Sequence, residues 1–530
     1  MSKKFKLSLV VFIILVVSVV MVAGCVPKEK AEEEGKTFNA FLMEPVTLDA
    51  AHSQESEGIQ VAKQIYDGLV DYNPETLELT AAMAESWEPN EDASVWTFNL
   101  KKGIKFHNGR ECQAEDFVYS WSRVASKDTA SEVAYHLSPI KGFNDCQEGK
   151  AGTLAGVKAI DDYTLEVSLD YSYGEFPVTL GHPVFFPVPK EEVEKWGDKF
   201  SEYPVGTGPF KFAEWTHDQH ITLERFDDYY GDAARLDKVV FNIFADEETG
   251  YLEFEAGNLD DCQIPMGKIK EVQDKCGERA LINPMLGIYY YGLNMQTEPW
   301  KDNVELRKAL NYAIHRAIIT DVVWEGSRVP ATGIIPAGIP GFKENAMPYM
   351  FDQLKAKDLL EKAGYPDGKG LPKLTLGYNT GSSHDKVAQA VQAQMKEVGI
   401  TFDITGYEWG AYLDKIQAEE ITFFRLGWSA DYPTMDNFLY PLFYSENAGA
   451  DNMVYYNNSD VDKKLLEARR ETDEAKRRKL YQEIEQIVLE DAPIVPIAFY
   501  KTTRVIGEDV NGYIRTAMDD TPYERVWFSK

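Results

Sequence analysis

Histidine and cysteine are scarce in this chain, with eight and five among 530 residues. The histidines are scattered, and there is no Gly-x-Ser-x-Gly elbow, no His-Glu-x-x-His pair and no Gly-x-x-x-x-Gly-Lys-Ser/Thr phosphate loop. Gly206-Thr-Gly208 is too short for a nucleotide fingerprint and reads as a turn feeding a strand. No catalytic residue, resident metal or cofactor is therefore expected. Basic residues are also in deficit, 55 against 86 acidic ones, for a formal net charge of −31. Nucleic acid needs a basic face that releases counterions, so it is not an expected partner. Anionic lipid would repel the same acidic surface.

Long apolar runs are lacking too, with one exception. Leu7 to Ala23 follows Lys3, Lys4 and Lys6 and ends in Val22-Ala-Gly-Cys25. A basic start, a short hydrophobic segment and small residues before a cleavage point predict a signal peptide over 1–24, with Cys25 in the position of a lipoprotein lipobox. The alternative is an uncleaved N-terminal helix at the lower edge of what spans a bilayer. With cleavage the chain would be exported and held to the membrane by lipid on Cys25, with 25–36, rich in glutamate, as a flexible tether. Cys112, Cys146, Cys262 and Cys276 remain, an even number that suggests two disulfides in an exported protein. Three pairings are possible; Cys112 with Cys146 and Cys262 with Cys276 are the local choice. No pair has the spacing of a structural zinc site.

About 500 residues exceed what one hydrophobic core holds, so two or three packed lobes are expected. Trp96, Phe98 and Leu100 alternate, as do Tyr163, Leu165, Val167 and Leu169, which predicts strands. Leu306, Ala309, Leu310, Ala313, Ile314 and Ala317 form a helical stripe that leaves Arg307, Lys308 and Asn311 outside. A long helix is predicted from an N-cap at Ser459 or Asp460 to about Glu490, with Leu465, Leu466, Leu480, Ile484, Ile487 and Val488 inward. Strands interleaved with helices predict α/β lobes. Proline and glycine cluster at Val188 to Glu191, Pro204 to Phe210 and Pro330 to Gly341, and boundaries are expected near the first and after the second.

The string from Trp96 to Gly109 (WTFNLKKGIKFHNG), followed by Asp116 to Arg123 (DFVYSWSR), resembles the peptide-binding family of ABC-importer solute receptors, extracellular solute-binding protein family 5. Val205 to Phe210 (VGTGPF), Leu306 to Arg316 (LRKALNYAIHR) and Arg425 to Pro433 (RLGWSADYP) extend the resemblance over nearly all of the chain beyond the tether. The resemblance implies a two-lobed α/β clamp, the periplasmic-binding-protein or Venus-flytrap fold of cluster C type, with an extra subdomain. Lobe I would comprise 37–66, 190–288 and 499–530, the extra subdomain 67–189 and lobe II 289–498. Crossings between lobes would fall near Tyr289 to Asn294 and Ile497 to Tyr500. It further implies a monomer that captures oligopeptides by hinge closure and delivers them to the transmembrane subunits of an ABC importer.

Asp431 lies among aromatic and small residues in Trp428-Ser-Ala-Asp-Tyr432. A carboxylate buried there needs a cation, and the free α-amino group of a peptide is one. By resemblance Asp431 is the amino-terminus anchor; on spacing alone, an Asp before a proline turn would be exposed or a cap. By the same resemblance Arg425 faces a ligand carboxylate or peptide carbonyls, with a planar fork suited to either. His384 matches a position near the carboxyl end of longer peptides. Trp409 and Trp428, with Tyr432, are candidate pocket walls. Ser53, Gln54, Glu55 and Ser56 would make strand-like contact, with Gln54 where the family can carry a glutamate.

Other readings stay open. Some relatives carry a nickel chelate or haem, and opines, sugars or a peptide-sensing role are compatible with the same clamp. His217-Asp-Gln-His220 is the one close histidine pair, but the alternation from Phe210 to Phe226 predicts a hairpin there, where a metal is disfavoured.

Overall fold

Period-two alternation sets the faces of the sheets. The computed structural model describes residues 36–529, so the leader, Cys25 and most of the tether lie outside it. Val95–Leu100 buries Trp96, Phe98 and Leu100 and pairs antiparallel with Ala84–Pro89 and Thr164–Ser168, and Val157–Asp161 completes a four-stranded sheet. Helix Ala114–Ala125 packs into the same core through Phe117, Trp121 and Val124. A second four-stranded sheet runs Thr37–Leu42, Lys238–Ile243, His220–Arg225, Phe210–Thr216, its first pair parallel and the rest antiparallel. The expected hairpin is therefore present. His217 on it is engaged by Glu44 at 2.7 Å and Glu202 at 3.2 Å. Asp261–Gln263, Arg504–Ile506 and Ala280–Leu281 form a small third sheet.

The largest sheet has six strands: β1 (Pro284–Leu293), β2 (Val329–Pro330), β3 (Leu374–Asn379), β4 (Phe402–Tyr407), β5 (Phe423–Ser429) and β6 (Ile494–Lys501). Their spatial order is β2-β6-β1-β5-β3-β4. The run from Met285 to Leu293 is buried throughout because both faces of β1 are covered. Tyr289, Tyr291 and Leu293 enter one core with Leu306 and Leu310. Ile288 and Tyr290 enter another with Phe438, Tyr481 and Ile484. The two segments expected to cross between lobes, in β1 and β6, are antiparallel neighbours, with Tyr289 opposite Ala498.

Three expectations are corrected. The helix begins at Val304 and ends at Ala313, and its polar residues are not all outside. Arg307 donates to the carbonyls of Asp491 and Trp300, and Asn311 to that of Ile494, so these buried side chains tie the helix to the start of β6. The long C-terminal helix is two, Ser459–Arg470 capped by Asn458 and Glu474–Asp491 capped by Asp473. Asp473 accepts the Lys476 N–H at 3.0 Å, and that cap starts the second helix. Both expected disulfides are missing, for Cys112, Cys146, Cys262 and Cys276 are all free. Cys112 and Cys146 are buried in the core beside the first sheet, where each fills space as a small apolar side chain. The Cys262 thiol donates to the Gln263 carbonyl at 3.2 Å while Cys276 ends helix Ile269–Cys276.

Candidate functional site

A cavity of about 530 Å³ lies beside β5 and is walled on its far side by the 37–66 and 240–269 segments. Of the residues expected at a site, Gln54, Glu55, Ser56, His384, Trp409, Arg425, Trp428 and Asp431 line it. Ser53 and Tyr432 do not. Ser53 is buried at the end of a short helical turn, and the Tyr432 hydroxyl donates to the fully buried Asp436 at 2.9 Å.

β5 supplies the wall and leaves part of its edge open. It pairs along its length with β1, but with β3 only at Phe424 opposite Gly377. The Tyr412 hydroxyl fills the gap at Arg425. It accepts the Arg425 N–H at 2.9 Å and lies 2.7 and 2.9 Å from the carbonyl oxygens of Arg425 and Gly377. On the opposite side the Ala430 N–H donates to Leu286. Antiparallel alternation then turns the backbone groups of Gly427 and Ser429 away from β1, toward the cavity. These are strand-edge groups without a strand beside them.

Asp431 stands at one end. Its side chain is 11 % exposed, and it does not cap the following helix, Met435–Phe443, whose N-cap is Thr434. The buried Asn437 holds it, donating to Oδ2 at 2.9 Å and accepting the Asp431 N–H at 3.0 Å. The Asn437 oxygen also takes the Trp428 indole N–H at 3.0 Å, so one carboxamide sets both side chains. Burial raises the Asp431 pKa to about 7, Asn437 and Lys63 opposing the rise and Asp451 adding to it. Lys63 itself is bonded to Asp520 at 2.6 Å. Asp451, also on the cavity, accepts from the Gln54 amide at 3.0 Å and the Tyr135 hydroxyl at 2.5 Å, and burial raises its pKa to about 6. Gln54 can donate to this carboxylate where a glutamate could not.

The other end is cationic. Arg425 bonds the Asn379 carbonyl oxygen at 3.1 Å and the Tyr500 hydroxyl at 2.7 Å and lies over the Tyr289 ring at 4.4 Å. Its Nε and that of Arg328 are buried without a hydrogen-bond partner, and among the described residues neither guanidinium has a carboxylate within ion-pair distance. Arg328 donates to the carbonyls of Ser327 and Lys501. His384 opens helix His384–Lys396 beside Tyr289; burial, with Arg425 and Arg328 adding to it, keeps its pKa well below the usual value, so the ring is neutral. Trp409 opens helix Trp409–Gln417, and Glu55 caps helix Ser56–Ile65 by accepting from Glu57 and Gly58. The carboxyl oxygens of Glu55 are thus engaged at a helix terminus, and burial, with Glu57 adding to it, raises its pKa well above the usual value.

Sequence reasoning missed Asn437, Asp451, Arg328 and His182. Each is far in sequence from its partner or carried no local pattern; His182 lies 3.7 Å from Asp431 across 249 positions.

The profile of bacterial extracellular solute-binding proteins, family 5 Middle, matches residues 78–450. The oligopeptide-binding protein OppA of Bacillus subtilis is 32% identical over 517 residues, covering 94% of each chain. This chain belongs to family 5 of the bacterial extracellular solute-binding proteins. Its fold is the two-lobed α/β clamp of that family. A crystal structure of Haemophilus influenzae OppA in complex with RPPGFSPFR superposes with a TM-score of 0.86 at 29% identity, covering 94% of this chain and 100% of that one. The Escherichia coli murein tripeptide binding protein MppA gives 0.86 at 29% identity, covering 94% and 99%. MppA in its unliganded open form gives only 0.68 at 30% identity, covering 93% and 98%. The chain is thus more similar in shape to the peptide complex than to the unliganded open form.

Proposed function

We propose that this protein is an extracytoplasmic receptor that captures short peptides by closure of its two lobes and hands them to an ABC importer, without enzymatic activity. One observation carries the reading: a single cavity has the buried Asp431 carboxyl group at one end, the guanidiniums of Arg425 and Arg328 with unpartnered Nε atoms at the other, and an open strand edge between them. An extended zwitterion with backbone donors and acceptors meets all three. Relatives named for oligopeptides, one holding a peptide, support the same reading. The lobe boundaries given above, attachment through lipid on Cys25 and a monomeric state belong to this proposal. Among the described residues no helix is long and apolar enough to cross a membrane.

Native mass spectrometry of the purified protein tests it directly. The expected result is a co-purifying mass that, once released, sequences as a peptide with a free amino terminus; a ligand with no cationic group would end the reading. Gly427 offers a second test. A Cβ there would lie 2.1 Å from the Tyr500 hydroxyl that bonds Arg425. Gly427→Ala is expected to push Tyr500 aside and weaken tripeptide binding about tenfold, on the scale of one hydrogen bond to a charged group, as read by titration calorimetry.

A further inference from the structure

His182 is buried at the turn before the short helix Pro183–Phe185, and no family string in the sequence includes it. Its Nδ1 accepts the Val184 backbone N–H at 3.1 Å. An amide N–H can only donate, so Nδ1 carries the lone pair and the proton of the neutral ring is on Nε2. Burial, with His136 and Lys63 adding to it, holds this ring's pKa well below the usual value, in keeping with the neutral ring that the Val184 bond requires. That Nε2 lies 3.7 Å from Asp431 Oδ1.

His136, His182 and Asp431 bring ligand atoms within 4.8 Å of one another, a grouping that invites a metal. The tautomer argues against one. Binding through His182 Nε2 would move the proton to Nδ1 and set it against the Val184 N–H. His136 lies stacked between Tyr135 at 4.3 Å and His182 at 4.6 Å, which fixes the plane of the second ring instead.

We propose that His182 is a positioning residue for ligand recognition: its Nε2–H, aimed by the Val184 bond and the His136 stack, orients the free oxygen of Asp431 for the ligand's ammonium group. This rests on the peptide reading above. Asn437 already occupies Oδ2, so the two donors leave the carboxylate one fixed presentation. At 3.7 Å the contact is long for a hydrogen bond in this state. Its N–H dipole still acts on the carboxylate in a buried site. The other titratable groups acting here are Lys63, Asp451, Tyr72, Tyr135 and Tyr432 around Asp431, with His136 and Lys63 acting on His182. The 67–189 segment thereby takes part in reading the amino end.

Two variants separate the roles of the ring nitrogens. His182→Asn keeps an acceptor for Val184 in the place of Nδ1 but loses the outer donor; His182→Gln keeps a donor in the place of Nε2. Binding of Ala-Ala-Ala and its N-acetyl form to the full chain is measured by calorimetry from mildly acid to mildly alkaline pH. His182→Asn should weaken the free-amino peptide about fivefold at neutral pH, move the acid limb of its affinity profile upward and leave the acetylated peptide unchanged. His182→Gln should stay within about twofold of the unaltered protein. Equal loss of both peptides, or an unmoved acid limb, would overturn the inference, as would zinc raising the melting temperature of the unaltered protein but not of His182→Asn. If the unaltered protein binds neither peptide, the peptide reading falls, and this inference with it.

Discussion

Replacing Asp431 by alanine lowers the affinity for peptides with a free amino terminus by at least about 2 kcal/mol, roughly thirtyfold, since a buried charge pair loses one member. N-acetylated peptides, already poor ligands of the unaltered protein, lose little further. The pH profile carries the same signature. With no amine bound the Asp431 carboxyl group titrates at about 7. A peptide ammonium group needs the ionised form, so affinity falls as pH drops below that value. Above about 8 the α-amino group itself loses its charge, and affinity falls again. Calorimetry should thus find a maximum near neutrality, and Asp431→Ala should flatten the acid side. Equal binding of capped and uncapped peptides would remove Asp431 from the site.

Asp436→Ala costs about 3–5 kcal/mol of folding stability, the range found when one member of a buried ion pair is removed. Asp436 is fully buried and accepts from Arg469 Nε at 2.8 Å and Nη2 at 2.7 Å, and from the hydroxyls of Tyr481 at 2.8 Å, Tyr432 at 2.9 Å and Tyr173 at 3.3 Å. Arg469 in turn lies 3.2 Å from the Tyr440 ring centre. Burial works to raise the Asp436 pKa, but Arg469 and the hydroxyls outweigh it and the pKa is lowered. A carboxyl group lowered on folding stabilises above its unfolded pKa, and that contribution is lost as pH falls through the folded value. Denaturant unfolding should therefore show the full deficit at neutral pH and a smaller one below about pH 4. Asp436→Leu combined with Arg469→Met should recover much of the loss, because no charge is then left unpaired. A single-variant deficit under about 1 kcal/mol would show the network to be dispensable.

What the sequence made legible was local. The alternation through Trp96, Phe98 and Leu100 placed a strand and its buried face, and Arg425 to Pro433 placed Arg425, Trp428 and Asp431 on one cavity. The gaps come from distance and from context. Asp451 meets Gln54 across 397 positions and Tyr135 across 316, and no periodicity reports such a contact. Asn311 and Arg307 looked solvent-facing because polarity was read as exposure; carbonyls at the end of a distant helix and at the start of β6 are their partners. The split helix was missed because apolar positions on either side of the break, Leu465 and Leu466 before it and Leu480 after it, were read as one run, while the cap at Asp473 that creates the break is a single residue. Cysteine parity misled for a related reason: an even count says nothing of whether two sulfurs share a neighbourhood.

The hydroxyl of Tyr412 plugs the edge of β5 at Arg425, which leaves two rungs, at Gly427 and Ser429, for an incoming chain. A pleated strand offers its backbone to one neighbour at every second residue, so two rungs engage ligand residues two apart, a grip spanning three residues. Past that span nothing in the ladder counts further residues. A tripeptide and a longer chain would share one handhold, and discrimination by length would fall to whichever cation meets the trailing carboxylate.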